Sequence, residues 1–173
     1  MRRRCSGSWR LEIMATKDET VERAVGYAEE GFLCSESVAL ALKDALGTEC
    51  ACIPKVATGF AAGVGRTGNL CGALTGAILG LGLALGRDTP EARDRPPHWY
   101  ARRMAEAFEE AEGSLTCPGI LGLDIGDPQD YKTYRERNTW ATVCRGLIRV
   151  ATGLAYDILE EEKIVGERPH TGA

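Results

Sequence analysis

The stretch GRTGNLCGALTGAILGLGLALG, Gly65 to Gly86, changes character at a single cysteine. Ahead of Cys71 stand turn formers. Behind it runs an apolar segment with glycines at regular steps. A glycine inside a helix costs up to about 1 kcal/mol relative to alanine, so the repetition needs an offsetting gain. Gly72, Gly76 and Gly80 recur every fourth residue and share one face of a helix. Gly82 and Gly86 repeat the step on a neighbouring strip. Such a face is a shallow groove into which a second backbone can press. Gly59 and Gly63 are also four apart, with Ala62 beside them, which makes the preceding segment the expected partner across the Gly65–Asn69 turn. Close packing is a sufficient reason for the glycines. A second role is compatible with it: bringing backbone N–H groups near a cofactor or thiolate, which singles out Gly72, Ala73 and Gly76.

Outward from this segment the chain reads as helices. Thr16-Lys-Asp-Glu19 fits a capping box, followed by Val21, Ala24, Val25 and Ala28 at helical spacing and closed by Gly31. A second helix is expected from Cys34 to Leu46. A third has Pro54 in its first turn and a stripe of Ile53, Ala57, Phe60 and Val64. The glycine-rich fourth spans Leu70 to Leu85. Thr89-Pro90-Glu91 has the form of another helix start, Pro96-Pro97 must interrupt it, and the fifth helix proper is expected from Trp99 to Glu112. Cys117 to Gly126 reads as a loop, Asp127-Pro128 opens a further helix, and the last long helix turns Trp140, Cys144, Leu147, Ile148, Ala151, Leu154, Ala155 and Ile158 to one side. No run alternates with a period of two. The fold class is all-α: a compact bundle of about six helices around a glycine-rich central one. Residues 1–15 read as a disordered extension, 16–163 as a single domain and 164–173 as a flexible tail.

Composition narrows the function. The 173 residues fit one domain, large enough to bury a core without disulfides. A net charge of -4 argues against nucleic acid as a partner. Only two histidines are present, which nearly excludes an imidazole-rich site. The N-terminal MRRRCSGSWRLEIM lacks the apolar run of a secretion signal. The apolar stretch Leu70–Leu85 is shorter than the roughly 20 residues that cross a membrane. The expectation is a cytoplasmic protein with no membrane partner, whose cysteines stay reduced or serve metals and redox chemistry.

There are seven cysteines. Cys34 and Cys71 each stand at an expected helix start, where free N–H groups and the helix dipole can lower a thiol's pKa. Cys144 falls on the apolar stripe of the last helix, and Cys117 in the loop before Pro118. Four elements of a bundle can bring such residues to one centre. Yet none of the four forms a CxxC pair, and cysteine often serves as a small buried hydrophobe. Spacing alone therefore leaves both readings open. Cys50-Ala-Cys52 lies between helices and reads as incidental, and Cys5 belongs to the extension. His98 reads as a loop residue. Arg145 and Arg149 neighbour Cys144 along the chain and could offset thiolate charge. The string Gly63-Val-Gly65 followed by Gly68 resembles a dinucleotide fingerprint, but no strand precedes it, so nucleotide binding is rejected.

The segments GFLCSESVALAL, ATGFAAGVGRTGNLCGALTGAILGLGLALGR, CPGILGLDI and VCRGLIRVATGLAYDIL resemble the C-GCAxxG-C-C family, whose members are taken to be redox-active. The similarity spans about Val21 to Leu159. Its most specific part is the glycine turn followed by Cys71-Gly72-Ala73 and Gly76. The resemblance implies an all-helical domain with four shared cysteines, which fall on Cys34, Cys71, Cys117 and Cys144. It further implies electron transfer with a redox partner protein and an iron–sulfur cluster. Three chemistries stay open for these four: a cluster, thiol–disulfide cycling without metal, and a zinc ion held by all four in an interaction module.

Overall fold

The computed structural model describes residues 15–91 and 95–166; the expectations for 1–14 and 167–173 lie outside them. The described residues form an all-α fold. Helix α1 (Lys17–Glu30) starts at the expected capping box: Glu19 N donates to Thr16 Oγ1, and Thr16 N to Glu19 Oε2 at 2.8 Å. It stops at Gly31, whose φ of 105° suits glycine. Helix α2 (Cys34–Ala45) starts where the buried Glu36 carboxylate accepts the Leu33 N–H at 2.8 Å. Nearly all of α2 is buried, because other helices cover it on several sides.

Helix α4 (Gly72–Leu85) is the central element, and its glycine face is a packing surface. The main partner is α2; the preceding segment reaches only the first turn, where a Cβ at Gly72 would lie 3.0 Å from Ala61 Cα. A Cβ built at Gly76 would stand 2.5 Å from Ser35 O, and one at Gly80 2.5 Å from Leu42 Cδ1. One built at Gly72 would overlap Cys34 Sγ. Gly82 lies apart from this face, near the Tyr100 hydroxyl. Helix α5 (Trp99–Glu112) buries Met104 and Phe108. Helix α8 (Arg145–Glu161) sets Leu147, Ile148, Ala151, Ala155 and Ile158 into the same core against α1, α2, α4 and α5. The packed chain runs past residue 163, since Val165 is buried.

The third helix expected from the Ile53–Val64 stripe does not form. Residues 51–57 are turns, followed by one 3-10 turn at Thr58–Phe60. Element α3 (Ala61–Arg66) then winds with the opposite hand. Ala62, Gly63, Val64, Gly65 and Arg66 all have φ between 54° and 68°. Glycine takes such angles without strain, but each of the other three costs roughly 1–2 kcal/mol. Tertiary bonds fix the entry to this segment. Ser35 Oγ donates to Ala57 O at 2.7 Å, Thr58 Oγ1 to Glu36 Oε1 at 2.5 Å, and Thr75 Oγ1 to Phe60 O at 3.2 Å. The stripe is apolar enough for a helix, but these bonds and the glycines at 59, 63 and 65 favour the turn.

Two further expectations change. The segment after Cys117 is a short helix, α6 (Cys117–Leu121), with Thr116 as its N-cap. The Thr89-Pro90-Glu91 start is itself not helical: residues 87–91 are irregular, and α5 begins after Pro96-Pro97, with the exposed His98 at its N-cap. Asp127 does cap α7 (Pro128–Glu136), accepting from Gln129 N and Asp130 N. Among the described residues no helix is long and apolar enough to cross a membrane.

Candidate functional site

Cys34 is the first residue of α2, and Cys71 is the N-cap of α4. The glycine groove sets both against the same packed helix pair. An isolated antiparallel bridge, Leu70 with Thr116, brings in the third cysteine. Cys71 N donates to Leu115 O at 2.8 Å and Cys117 N to Asn69 O at 2.9 Å. Each cysteine directly follows a bridge residue, so both side chains leave on the face opposite to Leu70 and Thr116. Gly63 backs this clip: a Cβ there would lie 2.9 Å from Cys117 Cβ. Cys144 ends a π-helical turn, Trp140–Cys144, that leads into α8. Such turns widen the helix and re-aim side chains. The long helix expected from Trp140 therefore begins regular winding only at Arg145.

All four cysteines line one cavity of about 240 Å³. Its other walls are mostly apolar and include Ala61, Leu121, Ile125, Trp140 and Leu147. Cys71 and Cys117 are buried, while Cys34 and Cys144 are partly exposed. Gly72 and Ala73 reach the cavity wall. Gly76 does not; it lies one turn further along, against the Ser35 backbone. Cys50 belongs to a separate small cluster with Ile53 and Ala57, and Cys52 is exposed. Cys5 lies outside the described residues. Arg145 and Arg149 turn away to Glu29 and Glu22 on α1, so neither offsets charge at the cavity.

The expected lowering of the thiol pKa values is overturned. Burial raises all four, taking Cys71 and Cys117 up to about 12 and Cys144 up to about 11. Repulsion from neighbouring thiolates contributes at Cys71, Cys117 and Cys144. N–H groups oppose this without prevailing: those of Ala62 and Ser35 point at Cys34, and those of Ala73 and Leu74 point at Cys71. The Ala62 N–H reaches Cys34 because the backbone turns left-handed there. The helix start is legible in sequence, but the desolvation that outweighs it depends on packing.

Sequence reasoning missed the residues that close the cavity. The Tyr134 hydroxyl lies 3.6 Å from Cys144 Sγ. Its ring stacks on Tyr131, with centroids 6.0 Å apart and planes 13° from parallel. The Arg66 guanidinium covers the outer Tyr131 ring at 4.0 Å. The i, i+3 spacing of the two tyrosines was the available signal. Nothing in the sequence placed α7 beside the cysteines.

A helical domain with four cysteines around one apolar cavity is the class that fold and site define. Residues 32–158 match the family described as "Putative redox-active protein (C_GCAxxG_C_C)", and the chain belongs to it. No curated protein and no solved structure matches the chain.

Proposed function

We propose that Cys34, Cys71, Cys117 and Cys144 hold an iron–sulfur cluster and that the protein exchanges electrons with a redox partner protein. The observation that carries this reading is the convergence of four thiols, from four separate elements, on one apolar cavity. Four cysteines meet the ligand demand of a [2Fe–2S] or [4Fe–4S] cluster, which when bound supplies electron transfer. The chain's own part is to fix and shield the ligands. The α2–α4 groove fixes Cys34 and Cys71. The Ala62 and Ser35 N–H groups are placed to donate to a coordinated Cys34 sulfur, which tunes such a centre. Leu121, Ile125, Trp140 and Leu147 limit water in the cavity.

Two observations favour this chemistry over the others. Thiols whose pKa values are pushed up to about 11 or 12 are poor nucleophiles at neutral pH, which disfavours disulfide exchange. Coordination displaces the proton regardless. A single zinc ion needs its sulfurs about 2.3 Å from one point. The thiols here line a cavity of about 240 Å³, which offers more room than a single ion fills. Elemental analysis and an absorption spectrum of protein purified without oxygen test the reading. Iron with sulfide and a visible band are expected. Stoichiometric colourless zinc, or no metal with a thiol count that changes on oxidation, overturns it.

A further inference from the structure

We infer that the Tyr134–Tyr131–Arg66 column is the face through which electrons pass between the four-cysteine site and an anionic reaction partner. The inference rests on the redox reading above. The column is a continuous run of close contacts from a site thiol outward: 3.6 Å from sulfur to phenol, 6.0 Å between stacked rings, and 4.0 Å from the outer ring to the guanidinium. Tyr134 is half-buried and Arg66 is exposed, so the run ends in solvent.

The surface around it is suited to contact. The exposed large hydrophobics include Leu33, Phe60, Val64, Leu70 and Val143. Leu33, Leu70 and Val143 directly precede Cys34, Cys71 and Cys144, and Phe60 and Val64 flank the cavity-lining pair Ala61 and Ala62. Leu33 also lines the cavity, so an exposed apolar side chain stands at its edge, as at an interaction site. The charge of the partner follows from the arginines. Arg66 and Arg135 both bear on Tyr131, and among the described residues neither has a carboxylate within ion-pair distance. Arg23, Arg95, Arg102, Arg103, Arg145 and Arg149 each have one; among the same residues Arg87 and Arg137 also lack one, but only Arg66 and Arg135 act on Tyr131. An unmatched cation at the outer end of the column steers an anionic partner and repels a cationic one.

The step is outer-sphere: the reduced site loses one electron, the acceptor gains one, and no bond forms or breaks. Ferricyanide serves as the anionic acceptor and hexaammineruthenium(III) as the cationic one. Dithionite-reduced, cluster-loaded protein is mixed with each in a stopped-flow instrument. Arg66→Asn keeps a residue tolerant of positive φ and Arg66→Glu reverses the charge. Both should slow ferricyanide at least threefold relative to hexaammineruthenium(III) and weaken the salt dependence of the ferricyanide rate. Tyr131→Leu should slow both acceptors with the reduction potential unchanged. Arg102→Glu, on a helix that does not line the cavity, should leave the ratio as in the parent. Should the parent take up no iron, the cluster reading fails separately. The same variants are then compared on the metal-free thiols, where two thiols pass two electrons to two ferricyanide ions, release two protons and join as one disulfide. Equal effects of Arg66→Glu and Arg102→Glu in the form assayed, or unaltered rates in Tyr131→Leu, overturn the inference.

Discussion

Cys34 and Cys71 stand on the two helices that are locked most closely together, whereas Cys117 and Cys144 stand on a five-residue helix and a π-helical turn. The first pair is placed by backbone packed on backbone. The second is placed by local devices: one antiparallel bridge, a Thr116 cap, and a hydrogen bond between Tyr134 and Cys144. Regular structure gives half of the site its rigidity, and irregular structure gives the other half its aim. Between them runs the left-handed α3, which offers the Ala62 N–H to Cys34 and backs Cys117 through Gly63.

The sharpest way to break the rigid half is Gly76→Leu. Its side chain must enter the Ser35 backbone, where even a Cβ is too close. The expected loss is about 3 kcal/mol or more, or roughly 6–12 °C in melting temperature. A variant that melts like the parent would show that the α2–α4 contact is not what holds the first pair.

The whole site is sharpened by pH. Burial raises the pKa values of Cys71, Cys117 and Cys144 above the ordinary 9.0, so the folded chain holds protons that the unfolded chain releases. Their contribution to stability is present in full below about pH 9. It is lost as pH rises towards the folded values of about 11 to 12. The slope is at most about 1.4 kcal/mol per pH unit for each thiol. Urea midpoints of the metal-free protein should fall from pH 8.5 to 10.5, and fall less in Cys71→Ser. A flat profile would mean that the thiols are not desolvated.

On the irregular side, Gly63→Ala combines a φ of 68° with the approach to Cys117. It should cost about 1–2 kcal/mol in thermal or urea melts. Ala62→Gly is the smallest change and has the opposite sign. It relieves a left-handed alanine and should stabilise by about 0.5 kcal/mol, the relief being partly offset by glycine's unfolded-state entropy. A destabilised Ala62→Gly would show that the alanine methyl packs usefully against the cavity.

This contrast also marks what was legible in the sequence. The all-α class and the caps at Thr16 and Asp127 followed from local chemistry, because capping depends on neighbours three or four residues away. The glycine face of α4 was legible as a packing surface, but its partner was not. Gly59 and Gly63 carry the same spacing as Gly72 and Gly76, and only the fold shows that Gly59 meets nothing while Gly76 meets Ser35. The four cysteines could be named from motif resemblance. Their meeting depends on the Leu70–Thr116 bridge, which joins segments 46 residues apart through two backbone bonds that leave no pattern in side-chain types. The tyrosine column was missed for the same reason.

The central claim is that these four cysteines, and not the others, hold one cluster. Iron and sulfide content after anaerobic reconstitution tests it most directly, in single serine variants at Cys34, Cys71, Cys117 and Cys144 and in a triple serine variant at Cys5, Cys50 and Cys52. The account predicts that each single variant loses or strongly alters iron binding and the visible band, while the triple variant matches the parent. Iron lost from the triple variant, or a parent that takes up none, would contradict it.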